Sequence, residues 1–279
     1  MTFTDQYEAR RAVAGLPKGP VALILNEDDV DLGATVAHHR TQGFAAVVVV
    51  GSADTSGHGA DVVLAADVKA SLADVVNELM PVLPGRWVFA GHNAEYLFYP
   101  FCESRTISDV TQFISEERRE AVFCTTVDIY SDTPGLAETG LSESDAYFDR
   151  AGYFALDKYD GPTKLTRQVD LFGGLKWRYS EHIPWERQKI NRVALFRGRP
   201  GLEMLSDHSF NDPEMNTINC EWHNSLTCAV ASLRVAKSLL RNPGSTFDVD
   251  RFVWSQSEKF EWRSQQLMDH GLLEPGQWF

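Results

Sequence analysis

Two polar clusters hold most of the side chains in this chain that can do chemistry. Asn26-Glu27-Asp28-Asp29 follows the apolar run Val21–Leu25, and Gly91-His92-Asn93-Ala94-Glu95 follows Trp87–Ala90. Asp54 stands in a third polar stretch, Gly51-Ser52-Ala53-Asp54-Thr55, behind the continuous run Phe44–Val50. Carboxylates and amides at such places hydrogen-bond a polar ligand. A histidine such as His92 donates to a phosphate but holds a hard cation poorly, because Mg²⁺ prefers carboxylate oxygen. Asp128 lies in the run Ala121–Tyr130, and His208 and His223 offer imidazoles for acid–base work or for phosphate or metal contact. Each residue also has a structural use. Asn26 and Glu27 suit a helix start, Asp54 suits a turn, and His39 suits packing under a sheet. Trp177 and Trp185 suit either a stacking wall or a core.

The 279 residues contain no GxGxxG, GxxxxGK[ST], GxSxG or HExxH pattern. That disfavours Rossmann dehydrogenase, P-loop, α/β-hydrolase and zincin readings. The formal net charge of −13 disfavours a nucleic-acid partner. The charge is uneven: residues 163–199 hold nine Lys/Arg, among them Lys176 and Arg178, against three acids. A basic island in an acidic chain meets an anionic ligand, an acidic partner surface, or the chain's own acids. The longest apolar run has seven residues, far short of the ~20 that cross a bilayer. The N-terminus MTFTDQYEARR has no apolar leader, and four cysteines without metal spacing read as reduced thiols, so a cytoplasmic location is expected.

Elements must position these residues. Val21–Leu25, Phe44–Val50, Ala60–Ala65, Trp87–Ala90 and Ala121–Tyr130 read as strands. Asp28, Asp29 or Asp31 caps a helix running to about Gln42, with Leu32, Val36 and His39 on one face and Gly43 as its stop. Ser71-x-x-Asp74 and Thr106-x-x-Asp109 read as capping boxes opening two amphipathic helices. Residues 133–162 read as a loop or lid, 224–242 as a helix capped by Asn224, and about 248–268 as a last helix. Repeated β–α units predict an open α/β sheet, with ligands outside the strand carboxyl ends.

The order of these pieces resembles the family 2 glycosyltransferases. Leu25-Asn26-Glu27, then His39-Arg40 and Gly43-Phe44 before a β run, is similar to that family's opening. Ser52-Ala53-Asp54 keeps the Ser-x-Asp part of its second loop. His92-Asn93-Ala94-Glu95-Tyr96-Leu97 stands where the family has paired aspartates, the glutamate and the aromatic-Leu, so the D-x-D motif is degenerate. Asp128-Ile129-Tyr130 looks like its D-M-Y, while Asp207-His208 and Trp222-His223 stand where it places C-terminal histidines.

The resemblance implies a single GT-A-like α/β domain, residues 1–279. It has an open, mostly parallel central sheet flanked by helices and a helical C-terminal segment. Residues 1–132 form the nucleotide-binding half, and 133–279 the acceptor half with the C-terminal helices. The implied function is transfer of a sugar from a nucleotide sugar to an acceptor, in a metal-independent manner because the aspartates are gone. The implied nucleotide-sugar contacts are Asn26, Glu27, Asp54, His92, Glu95, Lys176 and Arg178. Asp128 and His208 take the catalytic roles, Asp128 as acceptor-side base. No tightly bound cofactor is expected. The alternative is Mn²⁺ or Mg²⁺ accompanying the nucleotide sugar, held by Glu95 and His208. A non-catalytic glycosyltransferase-like binding or scaffold protein is the other reading.

Overall fold

The computed structural model describes residues 2–132, 145–245, 249 and 251–278. In chain order its elements begin with α1 (Gln6–Ala14), β1 (Val21–Leu25), α2 (Leu32–Thr41), β2 (Ala46–Gly51), β3 (Val62–Ala65) and α3 (Leu72–Leu79). Then come β4 (Trp87–His92), β5 (Glu95–Phe98), α4 (Ile107–Glu116), β6 (Ala121–Tyr130), β7 (Tyr147–Asp149), β8 (Phe154–Asp160) and β9 (Thr163–Phe172). The last are α5 (Gly174–Arg178), β10 (Asn191–Arg197), β11 (Cys228–Ser232), α6 (Arg234–Arg241), β12 (Ser257–Lys259) and α7 (Ser264–Asp269).

The chain forms two compact units that interleave along the sequence. Unit 1 comprises Met1–Asn93, Cys102–Phe123 and Arg192–Asn216; unit 2 comprises Ala94–Phe101, Cys124–Asn191 and Thr217–Phe279.

Unit 1 is built on a mostly parallel sheet. β1 lies between β2 and β4, parallel to both; β3 continues the parallel set beyond β2, and β10 pairs antiparallel with β4. Strands β1, β2 and β4 are buried along their whole length, which explains their continuous rather than alternating apolar sequence. Helices cover the faces. Leu72, Val75, Val76 and Leu79 of α3 join Leu23, Leu25, Val48, Val50, Val88 and Ala90 in one core cluster. On α2, His39 is fully buried and stacks on Phe89 of β4 with ring centroids 4.6 Å apart, and its Nδ1 lies 2.8 Å from the Thr35 carbonyl. His39 is therefore a core residue. Both capping boxes form as read: Ser71 and Thr106 accept from the Asp74 and Asp109 N–H groups, and each aspartate accepts in return.

Unit 2 has β11 parallel to the Cys124–Asp128 part of β6 and antiparallel to β5, with β7 and β12 continuing antiparallel beyond β6. β8 and β9 form a separate two-stranded ribbon. Three expectations need correction. The helix expected over 224–242 is instead β11 followed by α6. The segment Cys228–Ser232 is buried at every position between two strands, and a fully buried apolar run gives no periodicity to tell strand from helix. The helical C-terminal segment expected from about 248 is strand β12 and the short helix α7, with 246–248 and 250 outside the described residues. Of the loop expected over 133–162, residues 133–144 lie outside the described residues, while β7 and β8 occupy much of the rest. Asp160-Gly161, with Gly161 at φ +55°, is the turn signal that marks the β8–β9 hairpin.

Candidate functional site

The parallel strands of unit 1 bring the two polar clusters together. Leu25 at the end of β1 is in register with Val50 of β2 and His92 of β4. The chain runs from β1 through α2 to β2 on one side, and returns from β3 through α3 to β4 on the other. The strand order therefore reverses between β1 and β4, and the crevice outside the carboxyl ends at such a reversal is where open α/β sheets bind ligands. Residues 26–31 and 92–93 sit at this point.

Asn93 locks the two loops to each other. It is fully buried; its Oδ1 accepts from the Glu27 N–H at 2.8 Å, and its Nδ2 donates to Asp28 Oδ1 at 2.6 Å and to the Val30 carbonyl at 2.8 Å. Asn26 closes its own loop, donating to Asp29 Oδ1 at 2.7 Å and accepting from the Asp29 N–H at 3.0 Å. Asn26 Nδ2 also lies 3.4 Å from Thr55 Oγ1, beside the turn in which Thr55 N–H donates to the Ser52 carbonyl and in which Asp54 is exposed. The glutamate at 27 faces the histidine at 92, with Oε1 3.9 Å from Nε2, and the rings of His92 and His208 have centroids 6.1 Å apart. Three residues here hold left-handed backbone: Asp29 at φ +61°, Asp31 at +55° and His208 at +60°. Left-handed backbone at a non-glycine residue costs free energy and concentrates at binding and catalytic places.

The remaining sequence candidates belong to unit 2. Glu95 on β5 is buried and accepts from Ser232 Oγ at 3.2 Å. Asp128 on β6 is buried, and Lys176 N–H donates to its Oδ2 at 3.4 Å. Burial pushes the Asp128 carboxyl up to about 7 against the lowering effect of Lys176. Its Oδ1 has no hydrogen-bond partner among the described residues. A Cβ on Gly174 would stand 2.7 Å from Asp128 Oδ2, so only glycine, here at φ +62°, allows α5 to start so close. Lys176 Nζ donates to the Lys189 carbonyl at 2.7 Å, and Lys189 pairs with Asp170. Arg178 pairs with buried Asp149 at 3.2 Å, donates to the Phe252 carbonyl at 2.6 Å and lies over the Trp254 ring. The Asp149 carboxylate also accepts from Trp254 Nε1 at 2.7 Å and from the Tyr130 hydroxyl. Burial beside Asp149 and Asp128 holds Tyr153 in the neutral form, far above the usual phenol range.

The structure thus gathers Asn26, Glu27, His92 and His208 in unit 1, with Asp54 in the neighbouring turn, and gathers Asp128, Lys176 and Arg178 in unit 2. Sequence reasoning missed Asn93 as the lock of the site, and missed Asp149 and Tyr153 altogether. Gly173-Gly174 two residues before Lys176 was the available signal for the second cluster. His92-Asn93-Ala94 offers imidazole and amide but no carboxylate, a donor set poor for a hard divalent cation. Of the alternative metal ligands, Glu95 belongs to unit 2 and His208 to unit 1. Among the described residues no group of three or more His, Cys, Asp or Glu is placed to hold a metal ion. No helix among them is long and apolar enough to cross a membrane. No family model matches the chain, and no curated protein matches it.

Proposed function

We propose that the chain is a nucleotide-sugar-dependent glycosyltransferase that works without a metal ion. Its nucleotide sits in unit 1 outside the carboxyl ends of β1, β2 and β4. The observation that supports this reading is the meeting of the Asn26–Asp31 loop with His92 and Asn93 at the reversal of strand order, with His208 beside His92. Asn26 and Glu27 take the base and ribose. His92 and His208 donate to the diphosphate, whose departure needs positive charge or hydrogen-bond donors where a metal is not held. The acceptor hydroxyl must lose a proton during transfer. Within unit 2, burial holds the Asp128 carboxyl at about 7, in the range of a base that works near neutrality.

A non-catalytic binding protein is the second reading. It is favoured by Asn93, which stands within the stretch where the family carries its paired aspartates but is spent here on holding backbone.

Thermal unfolding with nucleoside diphosphates and nucleotide sugars, in EDTA and in Mn²⁺, tests both. A ligand at about 100 times its Kd adds about 2.7 kcal/mol of stability. Stabilisation in EDTA is expected, and so is its loss in the Glu27→Ala, Asp54→Ala double variant with the unliganded midpoint retained. A double variant that binds like the parent overturns the pocket. Release of nucleoside diphosphate from the nucleotide sugar in EDTA supports transfer. Strict dependence on Mn²⁺ overturns the metal-independent version. Binding without turnover leaves the binding protein, and absence of binding removes both readings.

A further inference from the structure

His223, one of the histidines singled out above, has a partner of different chemistry. Its Nδ1 lies 3.0 Å from the Sγ of Cys220, within the same short loop of unit 2. The Trp222 N–H points at the same sulfur from 3.4 Å, and the Cys220 N–H donates to Ser225 Oγ at 3.2 Å, which holds the loop in this form. Arg167 Nη1 donates to the Asn219 carbonyl at 3.1 Å, and Glu221, the adjacent acid, is exposed. A thiol here has two places to direct its proton: the His223 carbonyl at 3.4 Å, or Nδ1. Nδ1 is placed to take the thiol proton as the sulfur attacks an electrophile, and the Trp222 N–H donates to the same sulfur.

Cys124 and Cys228 are fully buried, and the Cys102 thiol donates to Glu103 Oε1 at 3.7 Å. Cys220 is partly exposed, and Trp222 beside it is 87% exposed, so a reagent can approach the loop.

We infer that Cys220 and His223 form a nucleophilic thiol pair, a modification site in unit 2 for soft electrophiles and peroxides. With a hydroperoxide, the sulfur attacks one peroxide oxygen and forms an S–O bond while the O–O bond breaks. The sulfur loses two electrons and becomes a sulfenic acid. His223 Nδ1 takes the thiol proton as the S–O bond forms and passes it to the leaving hydroxide or alkoxide, which departs as water or alcohol.

The test is residue-resolved alkylation of the full chain by iodoacetamide at neutral pH, read by peptide mass spectrometry at all four cysteines. Cys220 is expected to react roughly tenfold or more faster than Cys102. His223→Ala is expected to slow Cys220 alone, leaving Cys102 unchanged and the thermal midpoint intact. His223→Gln, which keeps a polar side chain but no base, is expected to be slow too. Hydrogen peroxide followed by a sulfenic-acid-specific trap is expected to mark Cys220 first. The pairing is overturned if Cys102 reacts as fast as Cys220, or if both His223 variants alkylate at the parent rate. Trapping spread evenly over Cys102 and Cys220 overturns the peroxide step.

Discussion

Asn93 and Asp128 are polar side chains buried in opposite circumstances. Asn93 uses both ends of its amide on the Asn26–Asp31 loop. Asn93→Ala removes three side-chain hydrogen bonds at a fully buried position. It should cost about 3 kcal/mol at roughly 1 kcal/mol per bond, seen in urea unfolding, and abolish nucleotide stabilisation. Asn93→Asp is the sharper variant. It sets a carboxylate where a donor faced Asp28 at 2.6 Å, so the variant should be weaker at neutral pH than in mild acid, where one of the two carboxyls holds a proton. Asp128 has the reverse problem, a carboxyl denied solvent. Its folded pKa of about 7 lies above the ordinary carboxylate value of 3.8, so the folded state keeps the proton longer than the unfolded chain. The group's contribution is therefore most favourable below about pH 4, falls as pH rises toward 7, and is constant above. Asp128→Asn removes that slope. The stability of the variant relative to the parent should grow by about 2–3 kcal/mol between about pH 5 and pH 8. A flat difference across that range would show that Asp128 ionises like an exposed carboxylate.

Elements differ in how openly the sequence announces them. Ser71→Ala should cost about 1 kcal/mol in urea unfolding, because it removes the side-chain cap of α3. That capping box was legible because its chemistry is local: one hydroxyl, one carboxylate and two N–H groups within four residues. The same holds for Thr106 and Asp109, and for the β-branched run that became β2. The convergence of Asn26 with His92 was legible too, since strand ends in a parallel sheet share one side. β11 was not. Its sequence Cys-Ala-Val-Ala-Ser has no strong propensity, and it is a strand because β5 and β6 bury it from both sides. The polar cluster around Asp128 was legible only in fragments, because Asp149, Tyr153 and Trp254 come from distant stretches that no local pattern connects. Gly174→Ala probes that cluster directly. A methyl group at φ +62° and 2.7 Å from Asp128 Oδ2 should displace α5 and lower the thermal midpoint by several degrees, more than Gly201→Ala, where nothing stands within 4 Å.

At the scale of the whole molecule, the chain leaves unit 1 after Asn93, returns at Cys102, leaves again after Phe123, and returns once more for Arg192–Asn216. That last segment is structural for the first. β10 pairs with the edge of β4, Arg197 N–H donates to the Glu120 carbonyl at 2.7 Å, and Asn77 exchanges hydrogen bonds with the backbone of Met204 at 2.7 and 2.9 Å. Six of its side chains, Val193, Phe196, Leu202, Met204, Phe210 and Met215, are buried in the core cluster with α3 and β4. At roughly 1.5–3 kcal/mol for each buried side chain, they contribute about 9–18 kcal/mol. That is as large as the ~5–15 kcal/mol that holds a whole domain together. A fragment of residues 1–132 ends at the boundary the sequence marks between a nucleotide half and an acceptor half, yet it lacks this segment. It should show no cooperative thermal transition and no nucleotide stabilisation, although it carries Asn26, Glu27, Asp54, His92 and Asn93. Adding residues 192–216 in trans as a peptide should restore part of both, because β4 then regains its antiparallel partner and the core its missing side chains. A 1–132 fragment that unfolds sharply and binds nucleotide alone would show that the packing of β10 and the Met204–Met215 stretch contributes little to unit 1.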